Sequence, residues 1–141
     1  MTKSSTGTLP GAPWTTDISV PRDYMVTTLT GVGDDKFVAQ IHAQLLGKLS
    51  PPVLVDWIVN ATHMTSFKPS IMGPAQDMLL DFKRRGGRHV IAVIKNPAIN
   101  MAARAISFGA KTKGGAVIEV VESMPDATRK LGALRAAGDK R

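Results

Sequence analysis

Hydrophobic and polar positions change period several times along this chain, and each change marks an element. The stretches "TDISV" and "YMVTTLTG" are β-rich and bracketed by Pro21 and Gly31, which predicts an opening pair of strands. In "DDKFVAQIHAQLLGKL" Phe37, Ile41 and Leu45 fall four apart beside Val38 and Leu49. That is the helical period, and Asp34 or Asp35 stands where such a helix is capped. "PPVLVDWIV" is a continuous apolar run, as in a strand buried on both faces. Ala75, Met78, Leu79 and Phe82 then follow the i, i+3, i+4, i+7 rule of one apolar helix stripe. Gly86 closes that helix in the left-handed conformation glycine tolerates. "RHVIAVI" is a second buried strand. "NPAINMAARAISFG" supplies an Asn96 cap, Pro97 at the first helical position, a stripe of Ile99, Ala102 and Ile106, and a stop at Gly109. "GAVIEVV" reads as a third buried strand. "SMPDATRKLGALRAA" is a closing helix, with Ser123 and Asp126 in capping-box spacing ahead of Leu131 and Leu134.

The predicted order is β-β-α-β-α-β-α-β-α. Strands alternating with single helices demand crossover connections, so the fold class is α/β, a single mixed, mostly parallel sheet covered by about four helices. The first strand or two are expected to run antiparallel at an edge. Residues 1–13 are rich in Ser, Thr, Gly and Pro and are expected to form a flexible tail. Residues 14–141 form one domain, with no internal repeat.

Composition narrows the function. At 141 residues and 43% hydrophobic, the chain can bury a core without staples. It has no cysteine, which removes disulfides, Cys-ligated metal sites and thiol nucleophiles, and fits a cytoplasmic protein. "MTKSSTGTLPGAPW" lacks the apolar segment of a secretory signal, and no run approaches the ~20 residues of a membrane span. Charge changes the picture more. The net charge is +7, and Phe82–Ile118 holds Lys83, Arg84, Arg85, Arg88, Lys95, Arg104, Lys111 and Lys113 with no acidic residue. Such a one-signed field attracts anions, although a solvated face that keeps the chain soluble needs the same residues. Lys83, Arg84, Arg85 and Arg88 around the glycine pair are the candidate anion-binding group.

Catalytic signals are sparse. "GVGDDK" offers only G-x-G ahead of an acidic helix turn, which repels a pyrophosphate. His42, His63 and His89 fall in a helix, a loop and a strand start, without metal-ligand spacing. Asp77 and Asp81 are four apart and read as a solvated pair on one helix face. The expectation is a protein that is not an enzyme and uses no cofactor or metal.

The stretch "SFKPSIMGPAQD" carries the remaining question. Ser70 precedes an amphipathic run, and a serine there accepts a hydrogen bond from a first-turn N–H, worth ~1 kcal/mol. Residue chemistry alone favours this capping role. A phosphate on the same hydroxyl would also be stabilised by the helix dipole, with Lys68 near in sequence.

From about Tyr24 to Leu134 the chain resembles a STAS domain, the fold of bacterial anti-sigma-factor antagonists. "VTTLTGVGDDKFVAQIHAQL" resembles that family's second strand, glycine turn and first helix, and "PVLVDWIV" its central strand. "MLLDFKRRGGRHVIAVI" and "VIEVVESMPDATRKLGAL" are similar to the later helix–strand and strand–helix units. The family's Asp-Ser-Ser-Gly motif, phosphorylated on its second serine by a partner kinase, falls on Lys68, Pro69, Ser70 and Ile71, where only Ser70 keeps its residue type. The loop from Asp56 to Phe67 is longer than in typical antagonists. "FKPSIMGPAQD" looks closer to an uncharacterised STAS-like branch.

The resemblance implies a regulatory module of bacterial signalling that acts on a protein partner. The surface implied is Phe67, Lys68, Pro69, Ser70, Ile71 and Met72, with Ser70 as phosphoacceptor. A small anionic or lipid-like ligand is the alternative. Nucleic acid ranks third, since only 5% of residues are aromatic and none lies in the basic glycine loop. Self-association into a homodimer stays open beside these.

Overall fold

Side-chain alternation assigns nearly every apolar strand residue to one of two sheet faces. The computed structural model describes residues 4–6, 14–20, 24–49 and 56–139. Six strands lie side by side in sequence order: β1 (Ser4–Thr6), β2 (Trp14–Ser19), β3 (Met25–Gly33), β4 (Asp56–Phe67), β5 (His89–Val93) and β6 (Ile118–Val121). β1, β2 and β3 pair antiparallel, whereas β3, β4, β5 and β6 pair parallel. "VLVDWIV" and "RHVIAVI" are neighbours, with Trp57 opposite Val90 and Ile58 opposite Ile91. Three crossover helices join the parallel strands: α1 (Asp35–Leu49), α2 (Met72–Arg84) and α3 (Pro97–Thr112). The strand order advances in one direction, so connections of constant hand place all three on the same face. Trp14, Leu29, Trp57 and Val90 meet Phe37, Leu79, Phe82 and Ile106 there.

α4 (Met124–Asp139) follows β6 and covers the opposite face. Ala127 and Leu131 pack on Val26, Ile58, Ile91 and Val93, the residues whose neighbours in sequence point the other way. A buried carboxylate fixes this helix. Asp56, 1% exposed, accepts from His89 Nδ1 at 2.7 Å and from Arg135 Nε at 2.7 Å.

The expected helices are present, and so are the caps expected at Asp34, Asn96 and Ser123, with local differences. Asp34 caps α1 by accepting from Phe37 N at 2.9 Å. Asn96 caps α3 by accepting from Ala98 N at 2.8 Å, with Pro97 at the first turn. Ser123 Oγ accepts from Asp126 N at 3.2 Å. The two glycines after α2 answer different demands. Gly86 has φ +98°, and a Cβ on Gly87 would overlap the buried Phe82 ring.

Several expectations are corrected. The stretch Asp56–Phe67 is a twelve-residue strand rather than a loop, so His63 is a strand residue. The apolar residues 51–55 of the strand expected at 51–59 lie outside the described residues. Gly109 does not stop α3; it sits inside the helix where a side chain would collide with Gln76. The helix continues to Thr112, and Gly114 takes the positive φ, +84°. Ala103 is buried and Ala102 only half-buried, because the stripe runs through Ile99, Ala103, Ile106 and Ala110. The expected third buried strand is a four-residue edge strand, half-buried throughout, preceded by an exposed Val117. Within the expected tail, Ser4–Thr6 pairs with β2 as the opposite edge; residues 1–3 and 7–13 lie outside the described set.

Candidate interaction corner

The segment around Ser70 is built from the far ends of β3 and β4. Gly33 closes β3, and a Cβ there would stand 2.8 Å from the rings of both Phe37 and Phe67. The absent side chain lets those rings approach, with centroids 6.2 Å apart. Lys68 N then donates to Gly33 O at 2.8 Å, pinning the end of β4 to the end of β3. Pro69 fixes the next φ, and Pro69–Ile71 forms one 3-10 turn in which Ile71 N donates to Lys68 O at 3.1 Å. The turn drives Ile71 into the core and leaves Lys68, Pro69 and Ser70 exposed. Phe67 and Met72 are half-buried against that core.

The six predicted residues are thus contiguous but face two ways. Phe67 and Ile71 anchor the corner, and Lys68, Pro69 and Ser70 present it to solvent. The capping expectation for Ser70 does not hold. Neither the 3-10 turn nor α2 has a side-chain cap bond, because Ser70 lies inside the turn and the cap positions are Lys68 and Ile71. Next door, Asn96 Nδ2 donates to Thr65 O at 3.4 Å and ties the start of α3 to the end of β4.

The basic group at the other end of the sheet is only partly assembled. Lys83 and Arg88 share a crevice of about 210 Å³ with His89, and Glu119 lines it too. Arg84 and Arg85 do not line it. Arg85 Nε instead donates to Asp81 at 2.9 Å, and His42 Nε2 lies 2.8 Å from the same carboxylate oxygen. Asp81 is therefore no solvated partner of Asp77. The hydrogen bond with His42, helped by Arg85 and opposed by partial burial, holds its carboxyl below the usual range.

Two features had no distinct signal in the sequence. An apolar cavity of about 80 Å³ lies between the sheet and α1–α3, lined by Phe37, Trp57, Phe67, Ile71, Met78 and Ile99 among others. A crevice of about 690 Å³ opens at the carboxyl ends of β5 and β6, where α3 departs to one face and α4 to the other. Lys95, Asn100 and Arg104 line it beside Glu122 and Asp126. Switch points of this kind are common ligand clefts in open α/β sheets. Among the described residues, no three His, Asp or Glu side chains gather as a metal site, and no helix is long and apolar enough to cross a membrane.

No protein-family model matches the chain, and no curated protein matches it. Solved structures do. The anti-sigma factor antagonist SpoIIAA in its unphosphorylated form superposes with a TM-score of 0.63 at 15% identity, over 84% of this chain and 96% of that one. The Bacillus cell fate determinant SpoIIAA in the phosphorylated form gives a TM-score of 0.56 at 18% identity, over 79% and 94%. An uncharacterised protein of the DUF3478 family with a SpoIIAA-like fold, from Shewanella loihica PV-4, gives 0.57 at 13% identity, over 93% and 95%. The chain therefore has a SpoIIAA-like fold, the fold that the resemblance to STAS domains implied.

Proposed function

We propose that this chain is a non-enzymatic regulatory module that acts by binding a protein partner at the corner formed by Phe67–Met72. The reading places it in the cytoplasm of a bacterium, with Ser70 as a phosphorylation switch. The observation that carries it is the state of Ser70: exposed, spending its hydroxyl on no cap, on a turn anchored by the Lys68–Gly33 backbone bond and the buried Ile71. SpoIIAA, whose fold it shares, has phosphorylated and unphosphorylated forms. A phosphate on Ser70 would add ~1.5–2 negative charges at the entrance to α2, where the helix dipole favours them. Lys68 supplies a countercharge two residues away.

The small-ligand alternative finds less support. The apolar cavity, about 80 Å³, is smaller than the ~150 Å³ that admits benzene. Carboxylates stand among the cations in both polar crevices, which weakens either as an anion site.

The test pairs mass spectrometry with binding. Incubation with serine kinases of the source cell should place one phosphate on Ser70, and Ser70→Asp should change affinity for the captured partner by about tenfold, as a new charge in a contact does. An unmodified Ser70 together with unchanged binding of Ser70→Asp would remove the switch.

A further inference from the structure

Among the described residues the large exposed hydrophobic side chains are Met101, at 74%, Phe108, at 70%, and Val117, at 44%. Single exposed apolar residues are ordinary on a protein surface. Two of the three are not scattered. Seven residues apart on α3, Met101 and Phe108 point within about 20° of each other and lie about 10 Å apart along the axis. They occupy the pole opposite the buried Ile99, Ala103, Ile106 and Ala110. Ala98 and Ala105, also exposed, widen the strip. α3 thus carries two apolar faces, and its own fold uses one.

The charges beside the strip indicate what covers it. α3 carries Arg104 and Lys111, both exposed, and no acidic residue. Lys95 precedes it and Lys113 follows, within the 82–118 run that holds eight basic residues and no acid. A second copy of this chain would bring α3 against α3 and set cations against cations with no anion on either helix. Like charges facing each other across an interface disfavour that pairing.

We infer that the outer face of α3 docks an acidic amphipathic helix of a partner protein. Two apolar anchors seven residues apart fit the i, i+3, i+4, i+7 spacing of a helix laid along them, and acidic flanks would meet Lys111 and Lys113, away from the carboxylates that share the Arg104 crevice. The inference rests on the reading of the chain as an interaction module but not on Ser70, and its test separates the two.

The probe is a display library of helical peptides of mixed charge, sorted on the full chain and mapped by amide and methyl chemical shifts. The selected peptides should be acidic, should shift Met101 and Phe108, and should bind more weakly as salt rises. Phe108→Gln and Met101→Gln should each weaken binding about tenfold while leaving the urea midpoint unchanged, since neither side chain supports the core. Ser70→Ala should bind as wild type does. The inference is overturned if selected peptides are neutral or basic, if their shifts fall elsewhere, or if the glutamine variants bind equally well. A dimer in sedimentation that Phe108→Gln dissociates would also overturn it, by making a second copy the occupant.

Discussion

Replacing Asn96 with alanine removes the side-chain oxygen that accepts from Ala98 N and Ile99 N at the start of α3. The expected loss is about 1 kcal/mol in urea unfolding. Ser70→Ala should stay within about 0.5 kcal/mol, because no cap bond is lost. A loss at Ser70 as large as at Asn96 would restore the capping role and weaken the case for a free hydroxyl. Asp81 makes a prediction of opposite dependence on conditions. Its carboxyl is held below the usual range by His42 and Arg85, so its stabilisation is complete above the ordinary aspartate value near pH 4 and drains away as pH falls through the folded value. The gap between wild type and Asp81→Asn should therefore shrink from about pH 6 to about pH 3. Unfolding curves across that range check it; a constant gap would mean the carboxylate is not selectively stabilised.

Among the elements, the helices were legible, β4 only in part and β1 not at all. Stripes such as Ala75, Met78, Leu79 and Phe82 repeat over several turns, and all four are buried as the spacing requires. β4 defeats the same logic after Asn60. Its register against β3 slips between Thr28 and Thr30 and again between Gly31 and Val32. Each bulge inserts a residue and resets which side chains face the core, so Trp57, Val59 and Ala61 are followed on the core side by Met64. A strand whose alternation is broken and which is rich in Thr, Ser and Asn reads as a loop from sequence. Gly109 misled for a different reason: its partner, Gln76, lies on another helix, and local spacing carries no record of it. The clamp on α4 was equally hidden, since Asp56 and Arg135 are 79 residues apart. Asp56→Ala strands His89 and Arg135 beside a buried gap and should cost about 3 kcal/mol. Amide exchange should rise first in α4, and an unperturbed α4 would contradict the clamp.

At the scale of the whole molecule, two unlike surfaces flank one layered body. The corner at Lys68–Ser70 stands at the carboxyl end of β4, and the bond from Asn96 to Thr65 ties it to the start of α3. The outer face of α3 extends away from that junction with its apolar strip and its cations. The fold class was legible because it follows from chain-local periods, whereas the surface around Ser70 was expected only from the family resemblance. The α3 strip was not singled out, because Met101 and Phe108 become conspicuous only once the other face of the helix is known to be buried. The stretch from 82 to 118 is one-signed, but of its four-residue basic group Lys83 and Arg88 line a crevice, Arg85 pairs with Asp81, and Arg84 does neither. On this reading a protein partner is bound through the corner. The measurement that tests it most directly is affinity capture from the source cell with the wild-type chain and a Lys68→Glu/Ser70→Asp double variant, both verified as folded by urea unfolding. The wild type should hold a partner that the double variant loses. A partner retained in equal amount by both would contradict it.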